Sequence, residues 1–495
     1  MSFRFPSAAD FADTYRSGSG DPRQVAERAL AAAASLDRME PPMRTFIALD
    51  AADVRRQAEA SARRWLEQRP RSALDGVPVA VKDEYDVIGY GTTCGTRFRG
   101  ARPAARDALA VARLRAAGAI VFGKTNMHEL GVQPSGINPW HGTARNPYDP
   151  ARDTGGSSSG SGACVGMGLT PIALGNDGGG SIRIPAAYNG VVGLKGTFGR
   201  VPTEGVPLLC WSLEHCGPLG ATVADVLAAF TVITDERLAL PELARPIRIG
   251  VCDRWWRLAG GEVAAIARAA IARVVGGELV DIDLPHIELS LPVGTATFTV
   301  EGAAAMERAL DEGQPLSPST RVIFEMARGM SAVAYVQSQR ARALVVRDFE
   351  WAWESVDVIV TPTTATTAPP YARDALRGGE LDEEKINRAV SFTFAQNLSG
   401  MPAVSVPCGY DSSGMPVGLQ VIAPHGEDLR ALAVAAAVEQ VTPRRQPPIW
   451  LSPLGAQASV ADSGSAISSS ERRSAATPRN QATAAPPSIK AAPKA

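Results

Sequence analysis

The sequence predicts a protein of the α/β class. Two short apolar stretches, 76–83 and 119–122, have the length of buried strands, and an amphipathic stretch between them at 107–117 has helical spacing. The same strand–helix–strand alternation returns between 247 and 284. Such alternation is typical of a sheet whose strands are joined by packed helices. We therefore expect an α/β architecture.

The other elements follow from local spacing and from turn residues. Ala, Leu and Arg recur at helical spacing at 24–36 and 51–68. Pro, Asn, Asp, Gly and Ser crowd residues 134–160, which we expect to form an ordered but irregular loop. The remaining predicted elements are a strand at 247–252, a helix at 262–275, strands at 279–284, 356–360, 403–407 and 417–422, and a helix at 428–440.

Composition argues against several classes of protein. The 495 residues carry 50 basic and 51 acidic side chains, a net charge of −1, which argues against the basic face that nucleic acid requires. The six cysteines form no CxxC pair, and Cys210, His215 and Cys216 lack a fourth ligand for zinc. The N-terminus lacks the apolar core of a signal peptide, and no apolar run reaches about 18 residues. We predict a cytoplasmic protein with no transmembrane segment, no metal and no nucleic-acid partner.

Residues 456–495 differ in composition from the rest of the chain. They contain no Phe, Trp or Tyr, and Ala, Ser, Pro and Thr dominate them. Such a segment cannot bury enough apolar area to offset the entropy that ordering costs. We therefore predict one folded domain at 1–455 and a disordered, Ala/Ser/Pro-rich tail at 456–495.

Two short motifs match familiar patterns without the local structure that those patterns need. Residues 118–125 match the phosphate-binding string GxxxxGK[ST], but the intervening residues are a predicted strand rather than an open turn. Residues 156–160 match GxSxG with Ser158 at the centre, but a loop rather than a strand leads into them. An α/β-hydrolase-type esterase using Ser158, with His425 or His286 as base, is kept as an alternative of another class.

A third stretch combines consecutive glycines with a serine. The glycines at 178–180 leave backbone N–H groups unshielded just before Ser181, as an oxyanion hole requires, although a plain tight turn fits the same residues. A serine nucleophile needs a base, and none of the five histidines lies beside it in sequence. Lys82, after the apolar residues 77–81, could be that base if burial favoured its neutral form, whereas a lysine that reaches solvent is the other interpretation. Only six of the 50 basic residues are lysine, and arginine could not serve because it stays protonated.

Three motifs together resemble those of the amidase signature family. They are VAVKD at 79–83, GGSSSGS at 155–161 and GNDGGGSIRIP at 175–185. Strong similarity covers 77–231, the core motif region, and looser similarity extends to 418–420. The resemblance implies the amidase signature fold, a mixed, mostly parallel twisted β-sheet covered by helices on both faces. It also implies hydrolysis of a carboxylic acid amide to acid and amine by a Ser–cis-Ser–Lys triad through an acyl-enzyme.

Carried onto this sequence, the resemblance implies a set of site residues. Ser181 would be the nucleophile, Ser157, joined to Gly156 by a cis peptide bond, would be the bridging serine, and Lys82 would be the base. The implied oxyanion donors are the N–H groups of Gly178, Gly179, Gly180 and Ser181, and the implied supporting residues are Ser158, Asp177 and Arg183. No metal or organic cofactor would be needed.

Within the family, the stretches at 124–131 and 143–149 look most similar to plant-type fatty acid amide hydrolases. The implied partner is a small-molecule amide, such as an N-acyl amide or fatty acid amide, and a homodimer is compatible with this prediction. The other candidate is the A-type subunit of glutamyl-tRNA amidotransferase, which usually has DTGGSIRQP where Gly178 and Ile184 stand here and would require further protein partners. Candidates for the walls of the substrate pocket are Trp211, Met127 and Phe392.

Overall fold

Eleven strands of the described part of the chain hydrogen-bond into one sheet. The structure is a computed structural model, and it describes residues 3–243, 246–274, 277–372, 374–380 and 382–455. The strands are β1 (Phe46–Ala48), β2 (Pro78–Lys82), β3 (Ile120–Thr125), β4 (Ile172–Asp177), β5 (Val192–Lys195), β6 (His215–Gly220), β7 (Ile247–Val251), β8 (Gly277–Asp281), β9 (Val358–Pro362), β10 (Ala403–Tyr410) and β11 (Pro416–Ile422). Their order across the sheet is β1-β3-β2-β4-β6-β5-β10-β11-β9-β7-β8.

The helices alternate with these strands or follow them in groups. In chain order the α-helices are α1 (Ala8–Arg16), α2 (Pro22–Leu36), α3 (Ala51–Leu66), α4 (Leu109–Ala116), α5 (Ser159–Gly166), α6 (Arg183–Tyr188), α7 (Val223–Thr234), α8 (Asp253–Trp256), α9 (Gly261–Arg273), α10 (Ser290–Ala305), α11 (Glu307–Asp311), α12 (Pro318–Arg328), α13 (Ala332–Ala352), α14 (Ala375–Gly378), α15 (Glu383–Val390), α16 (Phe394–Ser399) and α17 (Asp428–Val441). Short 3₁₀ turns lie at Glu129–Gly131 and Ile287–Leu289.

The sheet is mixed, as predicted, but it is not mostly parallel. Among the described strands, β2 pairs in parallel with β3 and β4, and β7 pairs in parallel with β8 and β9. The other six pairings are antiparallel. The connections explain the difference, because the short turn at 411–415 joins β10 to β11 as a hairpin, which only antiparallel strands permit. The prediction of a mostly parallel sheet is therefore wrong in that detail.

Helices cover both faces of the sheet, which confirms this part of the predicted fold. Val79 and Val81 of β2 pack into an apolar cluster that includes residues of α4, α7, α9 and α17. Ala80, between them, packs into a second cluster that includes residues of α3 and α5. Successive strand residues point to opposite faces, so the two sets of helices lie on opposite sides of β2.

The predicted strand–helix–strand unit at the start of the core is present as β2, α4 and β3. Lys124 and Thr125 therefore lie at the end of a buried strand and not in a phosphate-binding turn. Lys124 Nζ lies 2.8 Å from Asp83 Oδ1, and both side chains are fully buried. This pairing leaves no free lysine for a nucleotide at 118–125.

The described residues belong to one compact unit that ends at Gly455. The predicted disordered tail, 456–495, lies outside the described residues, and its disorder stays a prediction. Within the ranges that the structure describes, no helix is both long and apolar enough to cross a membrane.

Candidate active site

Lys82 ends the interior strand β2 in a buried position. The strand lies between β3 and β4, which pair with it on either side, and the side chain of Lys82 is only 1% exposed. Its Nζ donates to Ser157 Oγ at 2.8 Å and to the carbonyl oxygen of Asn176 at 3.4 Å. It also lies 2.9 Å from Glu84 Oε2. The side chain therefore points into the interior, and the interpretation of Lys82 as a lysine that reaches solvent is wrong.

The Gly/Ser stretch before α5 brings Ser157 against this lysine. The peptide bond between Gly156 and Ser157 is cis. A Cβ atom on Gly156 would lie 2.2 Å from the carbonyl oxygen of Ser135, so no larger residue fits there. The carbonyl oxygen of Ser157 accepts from the N–H of His128 at 3.2 Å. The backbone thus fixes the position from which Ser157 Oγ contacts Lys82.

The loop between β4 and α6 presents free backbone donors. The N–H groups of Gly178, Gly179 and Ser181 have no acceptor among the described residues. The N–H of Gly180 differs, because it donates to Asp177 Oδ1 at 2.7 Å. This hydrogen bond occupies the Gly180 N–H within the turn. The geometry therefore does not support the prediction that Gly180 is an oxyanion donor.

A buried ion pair holds this loop in place. Asp177 Oδ1 lies 2.9 Å from Arg183 Nη2, and Asp177 Oδ2 accepts from Arg183 Nε at 2.9 Å and from the N–H of Ile182 at 3.1 Å. Burial would raise the pKa of Asp177, but the charge and hydrogen bonds of Arg183 outweigh it and hold that pKa well below its usual range. The remaining guanidinium N–H groups of Arg183 donate to side-chain oxygens of Gln396, Asn397 and Gln420.

Ser181 and Ser157 lie on adjacent loops. The N–H of Ser158 donates to the carbonyl oxygen of Ser181 at 3.2 Å, which places the loops side by side. Ser181 is 8% exposed and Ser157 only 1%, so Ser181 is the more accessible of the two. No hydrogen bond joins their hydroxyl groups within the described part of the chain. The structure brings Lys82 and Ser157 into direct contact and places Ser181 beside them.

Ser158 contacts the backbone of β4 rather than a base. Its Oγ donates to the carbonyl oxygen of Asn176 and accepts from the N–H of the same residue, both at 3.3 Å. No histidine of the described residues bonds to it, and His286 pairs instead with Asp348 at 2.9 Å. The residues that lead into Ser158 form a loop, as expected. This arrangement gives no support to the esterase alternative.

Two buried carboxyl groups near Lys82 were not among the predicted site residues. Glu84 lies in the turn after β2, and Glu214 precedes β6 and accepts from the N–H of Leu209 at 3.2 Å. Burial, followed by the negative charge of Glu84, raises the pKa of Glu214 to about 7. Glu84 could have been identified as a site residue from its position two residues after Lys82. No feature of the sequence around Glu214 indicated that it lies near the site. Among the described residues, no group of three or more His, Cys, Asp or Glu side chains could hold a metal ion.

Aromatic side chains pack closely against the loop at 178–181 between β4 and α6, called the glycine loop below. A Cβ atom on Gly178 would lie 3.1 Å from Phe298, and one on Gly179 would lie 2.7 Å from the ring of Phe394. Phe298 and Phe394 belong to one buried apolar cluster. Neither had been predicted; of the candidates for pocket walls, Met127 and Phe392 are fully buried and Trp211 is half-exposed.

The fold is of the α/β class, and the comparisons with known proteins make the chain an amide-hydrolysing enzyme. The chain matches the Amidase family over residues 28–432 and belongs to that family, which confirms the resemblance found in the sequence.

Several known proteins are similar to it over most of their length. The fatty acid amide hydrolase of Medicago truncatula is 36% identical over 482 residues, which cover 92% of this chain and 79% of that protein. The A-type subunit of the glutamyl-tRNA(Gln) amidotransferase of Symbiobacterium thermophilum is 35% identical over 489 residues, which cover 88% and 96%. The crystal structure of an amidase superimposes with a TM-score of 0.79 at 32% identity and covers 88% of this chain and 99% of its own.

Proposed function

We propose that Lys82, Ser157 and Ser181 are the catalytic triad of this amidase. The observation that carries the proposal is the buried hydrogen bond of 2.8 Å between Lys82 Nζ and Ser157 Oγ, next to the loop that bears Ser181. A serine hydroxyl becomes a nucleophile only when a base accepts its proton. A neutral lysine amine at this position can accept it through Ser157.

The proposed reaction proceeds through an acyl-enzyme on Ser181. Neutral Lys82 accepts the proton of Ser157 as Ser157 accepts the proton of Ser181, and Ser181 Oγ attacks the amide carbonyl carbon. Ser157 then gives a proton to the departing amine, and Lys82 returns one to Ser157. Water hydrolyses the acyl-enzyme by the same relay. The Ser181 hydroxyl must turn toward Ser157 when substrate binds, because the two hydroxyl groups share no hydrogen bond within the described residues.

The N–H groups of Gly178, Gly179 and Ser181 are the proposed oxyanion donors. They are fixed before the reaction and have no other acceptor among the described residues, which suits them to stabilise negative charge as it develops. Removal of one such donor typically lowers turnover by about 10²- to 10³-fold. Asp177 and Arg183 have a supporting role, because they hold the loop that carries the donors.

The proposed substrate is an N-acyl amide with an apolar acyl chain, as in fatty acid amides. The close packing of Phe298 and Phe394 against the glycine loop favours an apolar group near the carbonyl that is attacked. The similarity to a plant fatty acid amide hydrolase supports the same class. A homodimer and a cytoplasmic location stay predictions.

The second candidate is an amidotransferase A-type subunit that takes ammonia from glutamine. It is supported by the 35% identity to a protein of that kind. The apolar surroundings of the glycine loop favour the first candidate, since glutamine would bring a polar amide and a charged α-carboxylate and ammonium.

A panel of amides tests the proposal. We expect the purified chain to release amine from a long-chain N-acylethanolamide faster than from an aryl amide, a short primary amide or glutamine. Ser181→Ala should abolish release from all of them, and Ser158→Ala should retain a folded enzyme with measurable activity. If Ser181→Ala retained turnover and Ser158→Ala lost it, the esterase alternative would replace the triad. A preference for glutamine would favour the amidotransferase candidate.

A further inference from the structure

Glu84 places a carboxylate against Lys82 that the triad does not use. Glu84 Oε2 lies 2.9 Å from Lys82 Nζ, and the two side chains are 4% and 1% exposed. Oε2 has no hydrogen-bond partner among the described residues, so its contact with Nζ is an ion pair by distance alone. The neighbouring acid, Asp83, pairs with Lys124 instead. Of two consecutive acidic residues, one is therefore neutralised by a second lysine and the other faces Lys82.

A glycine permits this close arrangement. Gly131 has φ of +75°, and a Cβ atom there would lie 2.9 Å from Glu84 Oε1 and 3.3 Å from Ser157 Oγ. The backbone at Gly131 therefore packs against both of the side chains that contact Lys82 Nζ. Glu84 is thus enclosed within the site and is not part of a surface pair.

The contacts of Lys82 raise a chemical problem for its role as a base. As an ammonium, Nζ would direct N–H groups at Ser157 Oγ and at the carbonyl oxygen of Asn176, and it would form an ion pair with Glu84 Oε2, which lies 2.9 Å away. In that form it cannot accept the proton of Ser157. Burial penalises two separated charges, whereas a neutral amine beside a neutral carboxylic acid escapes this penalty. Transfer of one proton across 2.9 Å converts the first state into the second.

We propose that Glu84 is a positioning residue that takes up the proton of Lys82 and so generates the neutral base of the triad; the proposal rests on the triad proposed above. One N–H bond of the ammonium breaks and an O–H bond forms at Glu84 Oε2. The lone pair left on Nζ then accepts the proton of Ser157. After the leaving group has taken a proton from Ser157, the relay restores the amine, and the proton on Glu84 can return to Nζ. No proton has to leave for solvent.

Several titratable groups surround this pair. Burial and then the charge of Glu84 raise the pKa of Glu214 to about 7, while the charge of Lys82 lowers it, so an ionised Glu214 acts on both members of the pair. His128, in the loop after β3, has its pKa lowered by burial and is neutral at pH 7. Among the described residues the charge of Glu84 also acts on four groups whose pKa values are raised mainly by burial and that stay uncharged at pH 7: Tyr85, Cys94, Cys210 and Cys216.

The pH dependence of labelling by a fluorophosphonate probe tests the proposal on the full chain. In the wild type, the shared proton keeps the active state populated until both groups are protonated at low pH. In Glu84→Gln, Lys82 must lose its proton to solvent, so we expect the acid limb of the labelling rate to move to higher pH by about one unit or more. The matched control Glu312→Gln changes an exposed glutamate that pairs with Arg308, and it should keep the wild-type limb.

Two results would overturn the proposal. An unmoved acid limb in a folded Glu84→Gln would mean that Glu84 only packs against Lys82, and a limb that moved to lower pH would mean that the carboxylate only holds the ammonium charged. Glu84→Asn removes the acid with a smaller side chain and carries the same expectation if Glu84→Gln does not fold. Ser181→Ala separates the two proposals. Labelling of this variant by the probe would refute the triad. If Ser181→Ala is not labelled and the acid limb of the labelling rate in Glu84→Gln stays at its wild-type pH, only the role of Glu84 is refuted.

Discussion

Replacement of Asp177 by Asn would test how the loop that carries Ser181 is held. Both Asp177 and Arg183 are fully buried, and Asn keeps the shape of the side chain while it removes the charge. The guanidinium then stays buried without a counter-charge, and loss of one partner of such a pair costs about 3–5 kcal/mol. The backbone N–H groups of Gly180 and Ile182 also lose a charged acceptor. We expect a destabilisation within this range and a marked loss of turnover.

Urea unfolding followed by circular dichroism measures this effect. The pKa of Asp177 is lowered in the folded state, so its stabilising contribution is present above the unfolded value of about 4 and is lost only as pH falls through the lower folded value. The difference between wild type and Asp177→Asn should therefore be similar at pH 7 and pH 5 and shrink well below pH 4. Asp13→Asn, which breaks an exposed pair with Arg16, should leave the unfolding midpoint unchanged. A loss of less than about 1 kcal/mol at pH 7 would refute the reasoning, because it would fall below the range for a broken buried pair.

Two further substitutions address the base and the oxyanion donors. Lys82→Arg keeps the positive charge but supplies a group that cannot lose its proton, so we expect kcat/KM on the preferred amide to fall by about 10³-fold or more with an unchanged circular dichroism spectrum; near-normal turnover would contradict the triad. Gly179→Ala would place a Cβ atom 2.7 Å from the ring of Phe394 and displace the loop, so we expect kcat to fall by about 10²-fold. Gly261→Ala, where a Cβ atom would meet nothing within 4 Å, is the matched control, and an equal loss in that variant would argue against a specific effect of Gly179.

Local sequence patterns were sufficient to predict a helix or strand whose own residues define it. The apolar run before Lys82 and the helical spacing of 107–117 predicted β2 and α4, since short apolar runs and amphipathic periodicity are properties of single segments. The motif residues Lys82, Ser157 and Ser181 could be selected because the three motifs are long and specific. Their proximity in the structure agrees with that selection, and their roles stay a proposal.

Features that depend on tertiary packing could not be predicted. β4 and β6 contain glycines and polar residues and are buried along their whole length, so neither shows the alternation of a half-exposed strand. The 16-residue helix α10 contains Gly294 and three threonines, residues that weaken the helical signal. Glu214 approaches the site only through the fold, and the engagement of the Gly180 N–H depends on the rotamer of Asp177.

The most direct test of the central claim is to locate the covalent adduct of a fluorophosphonate probe by mass spectrometry of digested protein. The account predicts one adduct, on the peptide that contains Ser181, and none in Ser181→Ala. It also predicts slow labelling of Ser181 in Lys82→Arg. An adduct on Ser158, or wild-type labelling of Ser181→Ala, would contradict the assignment of Ser181 as nucleophile.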